Sequence, residues 1–478
     1  MRWELVAIAL TAAALIGCRT EHPSPGKPGP TTLSTDDVNQ KVAQNRAVQA
    51  VIWGMPAVNY ELMFQAVLSQ VHGNFNQIVF WSRPPDWKNQ TLTPNPNAIY
   101  LMPFINTKDV GPMVLEIPPA STDGSITGNL DDAWQIALED IGPLGADRGK
   151  GGKYLILPPG YKQRVPAEYL PMPSDTYQNY ALLRSIPHSG SEADIAKALA
   201  YGKRAKLYPL SQAANPSAST FLDASNVIFD STIPYDLRYY ESLNRIVQNE
   251  PWLERDKVMI DQLKSIGIEK GKSFSPDAAT EAMLKKAAAE AHAWLDARYE
   301  TLFTPYFDGA HWAVPAAPDA VKGQSDFYAD PSSYAVDARA VTYSIGYIGI
   351  KHLGGGQFYL MTSKDKDGQP LWGATTYRLT IPANAPTTQY WSATAYDRAT
   401  HALIRNMPRA SRASNDPGLQ KNADGSVDIY FAPQAPSGKD ANWVPTDPKD
   451  KFEVLFRLYG PEKPLFDKSW KLPDIEKQ

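Results

Sequence analysis

The segment 397–412 gathers Asp397, His401, Arg405, Arg409 and Arg412. Imidazole works as acid or base near neutral pH, and Asp397, four residues earlier, could orient His401 across a turn. Planar guanidinium groups hold carboxylate, sulfate or phosphate by paired hydrogen bonds. No acidic residue lies between Arg398 and Ser414, so these arginines have no local partners. His401 and Asp397 are therefore the catalytic candidates. Arg405 and Arg409 are expected to border, with His401, a cleft for an anionic or polyhydroxyl ligand. The competing reading of the same residues is a solvated hairpin followed by a charged loop.

Other chemistries find less support. Serine hydrolysis on a nucleophile elbow needs Gly-x-Ser-x-Gly, which does not occur. The histidines His22, His72, His188, His292, His311, His352 and His401 are scattered singly, and no His-Glu-x-x-His is present, so no metal site is expected. His292 shares a helical stretch with Glu290 and Asp296, which reads as a solvated face. The glycine-rich run 142–152 lacks the phosphate-loop ending, because Lys153 is followed by Tyr154; it reads as a long glycine hairpin entering a strand. Asp365-Lys-Asp-Gly368 has Thr376 where a calcium loop needs Glu, so it reads as a turn. No cofactor is expected.

Cys18 is the single cysteine, so no disulfide forms within the chain. It closes the run Leu15-Ile-Gly-Cys18, after Arg2 and the apolar stretch 5–16. That stretch is too short for a comfortable membrane span and reads as a signal peptide. The run resembles a bacterial lipobox. The resemblance implies cleavage after Gly17, lipid on Cys18 and anchoring in the bilayer. With Arg19 rather than Asp after the cysteine, it implies the outer membrane, with the body in the periplasm or at the cell surface. The Pro- and Gly-rich stretch after Cys18 reads as a tether. A formal charge of −4 offers no basic footprint for nucleic acid.

The elements that must position the candidate residues follow from periodicity. Thr35-Asp-Asp37 opens a helix, and Gly54-Met-Pro56 is expected to end it. Short β-rich runs at 77–81, 111–118 and 153–158 are bounded by proline or glycine, without helices between them, which predicts a sandwich. Helical spacing takes over near Ser191 and continues to about residue 305, with starts at Ser191 and Ser275-Pro-Asp277 and a stop at Gly267. Strands return at 376–382, 389–396 and 426–431. At 452–459, Phe452, Val454, Phe456 and Leu458 alternate with Glu453, Leu455, Arg457 and Tyr459, the pattern of a half-buried strand.

Two blocks carry a family resemblance. Thr93-Pro-Asn-Pro-Asn-Ala-Ile-Tyr100, Gly111–Pro118, Asp140–Tyr154 and Leu157-Pro-Pro-Gly-Tyr161 resemble the domain of unknown function numbered 1254. Asp367–Gly373, Gln389-Tyr-Trp-Ser392, Asn442-Trp443 and Phe456-Arg-Leu-Tyr-Gly-Pro461 resemble its companion, numbered 1214. The resemblance implies a mixed, mainly β architecture: an Ig-like sandwich, a helical middle and a jelly-roll-like sandwich. It draws Asn95 and Tyr100 in as ligand-binding candidates. The family commonly carries Asn-x-Asp-Thr-Leu-Tyr where this chain has Asn95-Pro-Asn97-Ala-Ile-Tyr100; Asn97 can hydrogen-bond but cannot exchange protons near neutral pH.

The expected organisation is a signal peptide at 1–17, a tether at 18–34, an N-terminal sandwich at 35–186, a helical region at 187–310 and a C-terminal sandwich at 311–478. The expected function is binding of a glycan or other polymeric or anionic ligand between the two sandwiches. The alternative is a hydrolase or lyase acting on such a polymer. A homo-oligomer is compatible with either.

Overall fold

A computed structural model describes residues 34–346, 351–352 and 356–478. Cys18, and the signal peptide and tether expected up to residue 33, lie outside the described residues. Ala43–Gln478 form one compact unit, and the described residues 34–42 fall outside it.

Helix α1 runs Thr35–Gln70 and does not stop at Gly54-Met-Pro56 as the sequence suggests. Packing explains the difference. A Cβ at Gly54 would come within 2.9 Å of Leu243, so glycine here admits a neighbouring helix rather than ending this one. Pro56 lacks an N–H, yet the helix continues, with the Pro56 carbonyl accepting from Gln135 at 2.7 Å. From Ala47 to Val67 the helix is buried on nearly every side.

The strands that follow are β1 (Gln77–Phe80), β2 (Asn89–Gln90), β3 (Ile99–Asn106), β4 (Met113–Ile117), β5 (Ile126–Asp132), β6 (Ala137–Ile141), β7 (Gly152–Leu157), β8 (Leu170–Pro173) and β9 (Gln178–Ser185). After α2 (Glu192–Gly202) come β10 (Lys206–Pro209), β11 (Phe221–Asp223) and β12 (Phe229–Asp230). They build a six-stranded sheet, β11-β1-β3-β9-β5-β6, a four-stranded sheet, β10-β4-β7-β8, and the pair β12-β2. The two larger sheets pack face to face through Ile78, Leu101, Leu115, Ile156 and Leu183. The opposite face of the six-stranded sheet, with Val79, Tyr100, Met102 and Leu182, packs in the core that contains α1. Because both faces are buried, β3 reads as a nearly continuous apolar run, and β9 holds a shorter one from Tyr180 to Leu183. The glycine-rich run 142–152 joins β6 to β7, which lie in different sheets, so it is a crossover rather than the expected hairpin.

The middle region holds α3 (Leu237–Asn249), α4 (Lys257–Leu263), α5 (Ala278–Leu302), α6 (Pro318–Asp326) and α7 (Val336–Ile345). The sequence signals here are realised. Ser191 and Asp277 cap their helices through side-chain oxygens, and Gly267 adopts φ 87°. However, β10 and β11 leave this region to complete the two N-terminal sheets.

The C-terminal strands are β13 (Gln357–Thr362), β14 (Tyr377–Ile381), β15 (Thr387–Asp397), β16 (Ser411–Ala413), β17 (Val427–Ala432), β18 (Trp443–Pro445), β19 (Phe452–Pro461) and β20 (Glu476–Lys477), with the short helix α8 (Lys463–Phe466). Sheets β13-β19-β15-β16 and β18-β17-β14-β20 enclose Leu360, Leu379, Ile429, Val454 and Phe456. The architecture is thus mixed, with several sheets, a helical middle and, among the described residues, no closed barrel. One expectation fails instructively. Strand β19 is not half-buried: Phe452 through Tyr459 are all buried. Its even face fills the C-terminal core, while Leu455 on the odd face joins the core shared with α1 and the six-stranded sheet.

Candidate functional site

The odd face of β19 therefore places Glu453, Arg457 and Tyr459 inside the protein. In register, Tyr359 on β13 stands opposite Arg457. Across the interior, on the six-stranded sheet, Tyr100 on β3 stands opposite Arg184 on β9. Two cross-strand Tyr–Arg pairs, one from each half, meet at one cavity of about 40 Å³. Thr93, Pro315, Gly346, Met361 and Leu455 also line it. A single water needs about 10–15 Å³ on this kind of measure, so the space suits a few waters or one small anionic group.

The electrostatics are unusual. Arg184 and Arg457 are 7% and 1% exposed. Among the described residues neither forms a salt bridge, although a guanidinium stays charged in any protein environment. Arg457 is held by Thr394 Oγ1 at 3.1 Å, the Thr93 carbonyl at 2.9 Å and the Tyr396 hydroxyl at 2.6 Å. Its Nε has no partner. Among the described residues the Arg184 guanidinium donates only to the Tyr100 hydroxyl, from Nε at 3.3 Å, and its buried Nη1 has no partner. Aromatic faces supply part of the compensation: Arg184 lies 5.4 Å from the Tyr100 ring and Arg457 5.2 Å from Tyr359. Asp131 is a carboxyl that feels Arg184, but burial pushes it well above the usual carboxylate range, and its side chain bonds Asn129 instead. Burial likewise raises the Tyr359 phenol well above its ordinary value, so it is neutral and can donate a proton.

Asn95 and Tyr100, two of the ligand candidates, are part of this assembly. The Asn95 amide nitrogen donates to Tyr390 at 3.0 Å and Tyr459 at 2.8 Å, and the Asn95 backbone N–H donates to Tyr100 at 2.8 Å. Tyr100 Oη accepts from Asn95 and Arg184 and still has a proton to offer. Asn97 accepts from Ser411 at 3.0 Å, a structural contact that needs no proton exchange. Thr93 sits at φ 41°, clamped between Arg457 on its carbonyl and the His401 carbonyl, which accepts its N–H at 2.7 Å.

The 397–412 segment is arranged differently from its sequence reading. His401 Nδ1 bonds Glu453 Oε1 at 2.7 Å, and the other Glu453 oxygen accepts from Tyr299 at 2.8 Å. Asp397 spends its carboxylate on the turn, accepting from Ala399, Thr400 N–H and the Thr400 hydroxyl. It does not orient the imidazole. The arginines do have partners, distant in sequence or across a short turn. Arg405 pairs with Asp230 at 2.6 Å, Arg412 lies 3.6 Å from Asp416, and Arg409 donates to the Asp440 carbonyl at 2.9 Å. None of these three lines the arginine cavity. His292 stacks on Tyr235 at 3.8 Å between centroids, and among the described residues no His/Cys/Asp/Glu group is arranged to hold a metal ion.

Sequence reasoning missed Arg184, Arg457 and Tyr359. The available signal was an arginine interrupting a buried strand, in Tyr180-Ala-Leu-Leu-Arg-Ser185 and in Phe452–Tyr459.

Comparison with known proteins finds two matching segments. Residues 75–209 match the protein family of unknown function DUF1254, and residues 356–463 match DUF1214. The VPA0106 protein from Vibrio parahaemolyticus is similar in structure, with TM-score 0.57 and 18% identity over 91% of this chain and 100% of that one. An uncharacterised protein from Burkholderia cenocepacia aligns with TM-score 0.40 and 11% identity, over 92% of this chain and 94% of its own. No curated protein matches. Thr93, Tyr100 and Arg184 come from the first matched segment, and Tyr359, Met361, Leu455 and Arg457 from the second. The chain thus carries a segment that matches DUF1254 followed by one that matches DUF1214, and the arginine cavity is lined from both.

Proposed function

We propose that this protein is an envelope lipoprotein, anchored through Cys18, whose folded body binds the anionic group of a ligand between Arg184 and Arg457. The observation that carries the binding role is the pair of buried guanidinium groups with orphan N–H atoms and no carboxylate bonded to either. A buried charge without a counter-charge is costly, and a small anion supplies both the charge and the missing acceptors. The cavity size favours a carboxylate or comparably small group over a whole phosphosugar. The test is thermal unfolding of the protein in a series of sodium salts at constant ionic strength. Formate or acetate should raise Tm saturably in the wild type and have no specific effect in Arg184→Gln. An equal response in both proteins rejects the site.

Anchoring rests on the Leu15-Ile-Gly-Cys18 run. Cys18→Ser should leave an uncleaved, unlipidated precursor. A variant that is still processed and still carries lipid rejects this part of the reading.

A second reading, hydrolysis or elimination on a related polymer, draws on His401. Its Nδ1 is fixed by the fully buried Glu453, the arrangement that orients an imidazole for proton transfer from Nε2. If it operates, Glu453→Gln should abolish turnover while Asp397→Asn leaves it largely intact.

A further inference from the structure

A groove separate from the arginine cavity runs between α5 and the edge of the C-terminal sandwich, with a volume of about 580 Å³, in the range of small-molecule sites. One wall carries Trp372, 46% exposed, beside Pro370 and the buried Phe452. The opposite wall is the polar face of α5, with His292, Asp296 and Glu300. An indole left half in water is conspicuous here, since its neighbours Leu371 and Gly373 are buried. Its backbone is pinned on both sides: Phe452 N–H donates to the Leu371 carbonyl at 3.1 Å, and Gly373 N–H donates to the Asp450 carbonyl at 2.9 Å. The backbone that carries the ring is therefore fixed, and the ring itself is presented to the groove.

The charges of the groove select against ions. Arg398 is held by Asp296 at 2.6 Å and Glu300 at 3.1 Å, and Glu300 also holds Lys364 at 3.0 Å. Asp397 and Asp450 offset Lys449 and Lys451, so acids and bases along the lining balance. A ligand that fits must offer an apolar face to Trp372 and a ring of hydroxyls to paired charged groups opposite. A flat aromatic molecule meets the first demand but leaves the polar wall unsatisfied. A pyranose ring meets both, through its C–H face and its equatorial hydroxyls.

We propose that this groove is a binding site for a neutral saccharide chain, with Trp372 as the stacking platform and Asp296 and Glu300 as hydroxyl acceptors. It is independent of the anion site, so either can fail alone. Lys451, whose ammonium lies 5.2 Å from the indole centroid, must swing aside or share the ring's other face.

The experiment titrates the full-length protein with cellohexaose, maltohexaose, xylohexaose and chitohexaose, each followed by tryptophan fluorescence and by saturation-transfer NMR. At least one should saturate, and Trp372→Ala should weaken it about tenfold or more, the equivalent of one stacking contact. Arg184→Gln should leave saccharide binding unchanged. Because Trp372 is exposed, the variant should melt like the wild type, which separates lost binding from lost fold. The proposal is overturned if none of the four saturates, or if binding survives undiminished in Trp372→Ala.

Discussion

Arg184 and Arg457 share one cavity but not one level of support: Arg457 is held by the Thr93 carbonyl and two hydroxyls, and Arg184 by the Tyr100 hydroxyl alone. Arg457 therefore ties the C-terminal sheet to the 93–100 loop, while Arg184 is a cation kept in the interior with little to hold it there.

This asymmetry separates two substitutions. Arg457→Met strips the Thr93 carbonyl and Tyr396 hydroxyl of their donor and should cost about 3 kcal/mol. Arg184→Met removes a poorly compensated buried charge for one long hydrogen bond. Its stability in anion-free buffer should be unchanged or higher, as expected where a site trades stability for binding. Urea unfolding of both variants checks the pair. Equal, large losses would mean that both arginines are purely structural.

Acid–base behaviour gives a second handle. Burial, working against bonds from the Tyr177 and Gln178 N–H groups, pushes the Glu250 carboxyl up to about 7, and burial raises nearby Asp132 to about 6. Both folded-state values exceed the unfolded ones. Each group therefore favours the folded state while protonated, and that contribution is lost as pH rises through the folded value. Between about pH 4.5 and 7 stability should fall, by roughly 3 kcal/mol for Glu250 alone. Glu250→Gln should flatten this part of the curve. A wild-type stability that rises across the window would contradict the assignment.

Backbone geometry beside the cavity supports a third expectation. Gly346, at φ 119°, ends α7, and a Cβ there would meet Thr93 Oγ1 at 2.2 Å and the Leu92 carbonyl at 2.9 Å. Gly346→Ala combines a left-handed backbone with a backbone clash and should cost about 2–3 kcal/mol. It should also weaken the anion response, because Thr93 carries a ligand of Arg457. Calorimetric melting with and without acetate measures both effects.

Local rules recover much of the fold. The caps at Ser191 and Asp277 and the stop at Gly267 are decided within a turn of chain, and they read correctly. The ending of α1 and the exposure of β19 were decided elsewhere. Gly54 looks like a terminator until Leu243 packs on it. Glu453 looks like a solvent-facing residue until Tyr299 of α5 and His401 pack on it, and Arg457 until the 93–100 loop does. The site was legible in part: Asn95 and Tyr100 stand in a motif, but Arg184, which bonds the Tyr100 hydroxyl, and Arg457, which bonds the Thr93 carbonyl, are brought to it only by strand pairing and tertiary packing. Arg405 and Arg409 seemed unpaired because Asp230 and Asp440 are distant in sequence.

The most direct measurement of the central claim is anomalous diffraction from crystals grown with sodium bromide. The expected result is one bromide peak in the cavity, within hydrogen-bonding distance of Arg184 Nη1 and the Tyr100 hydroxyl, and absent from Arg184→Gln crystals. A cavity that holds only water at saturating bromide, in a wild-type protein with both guanidinium groups in place, would contradict it.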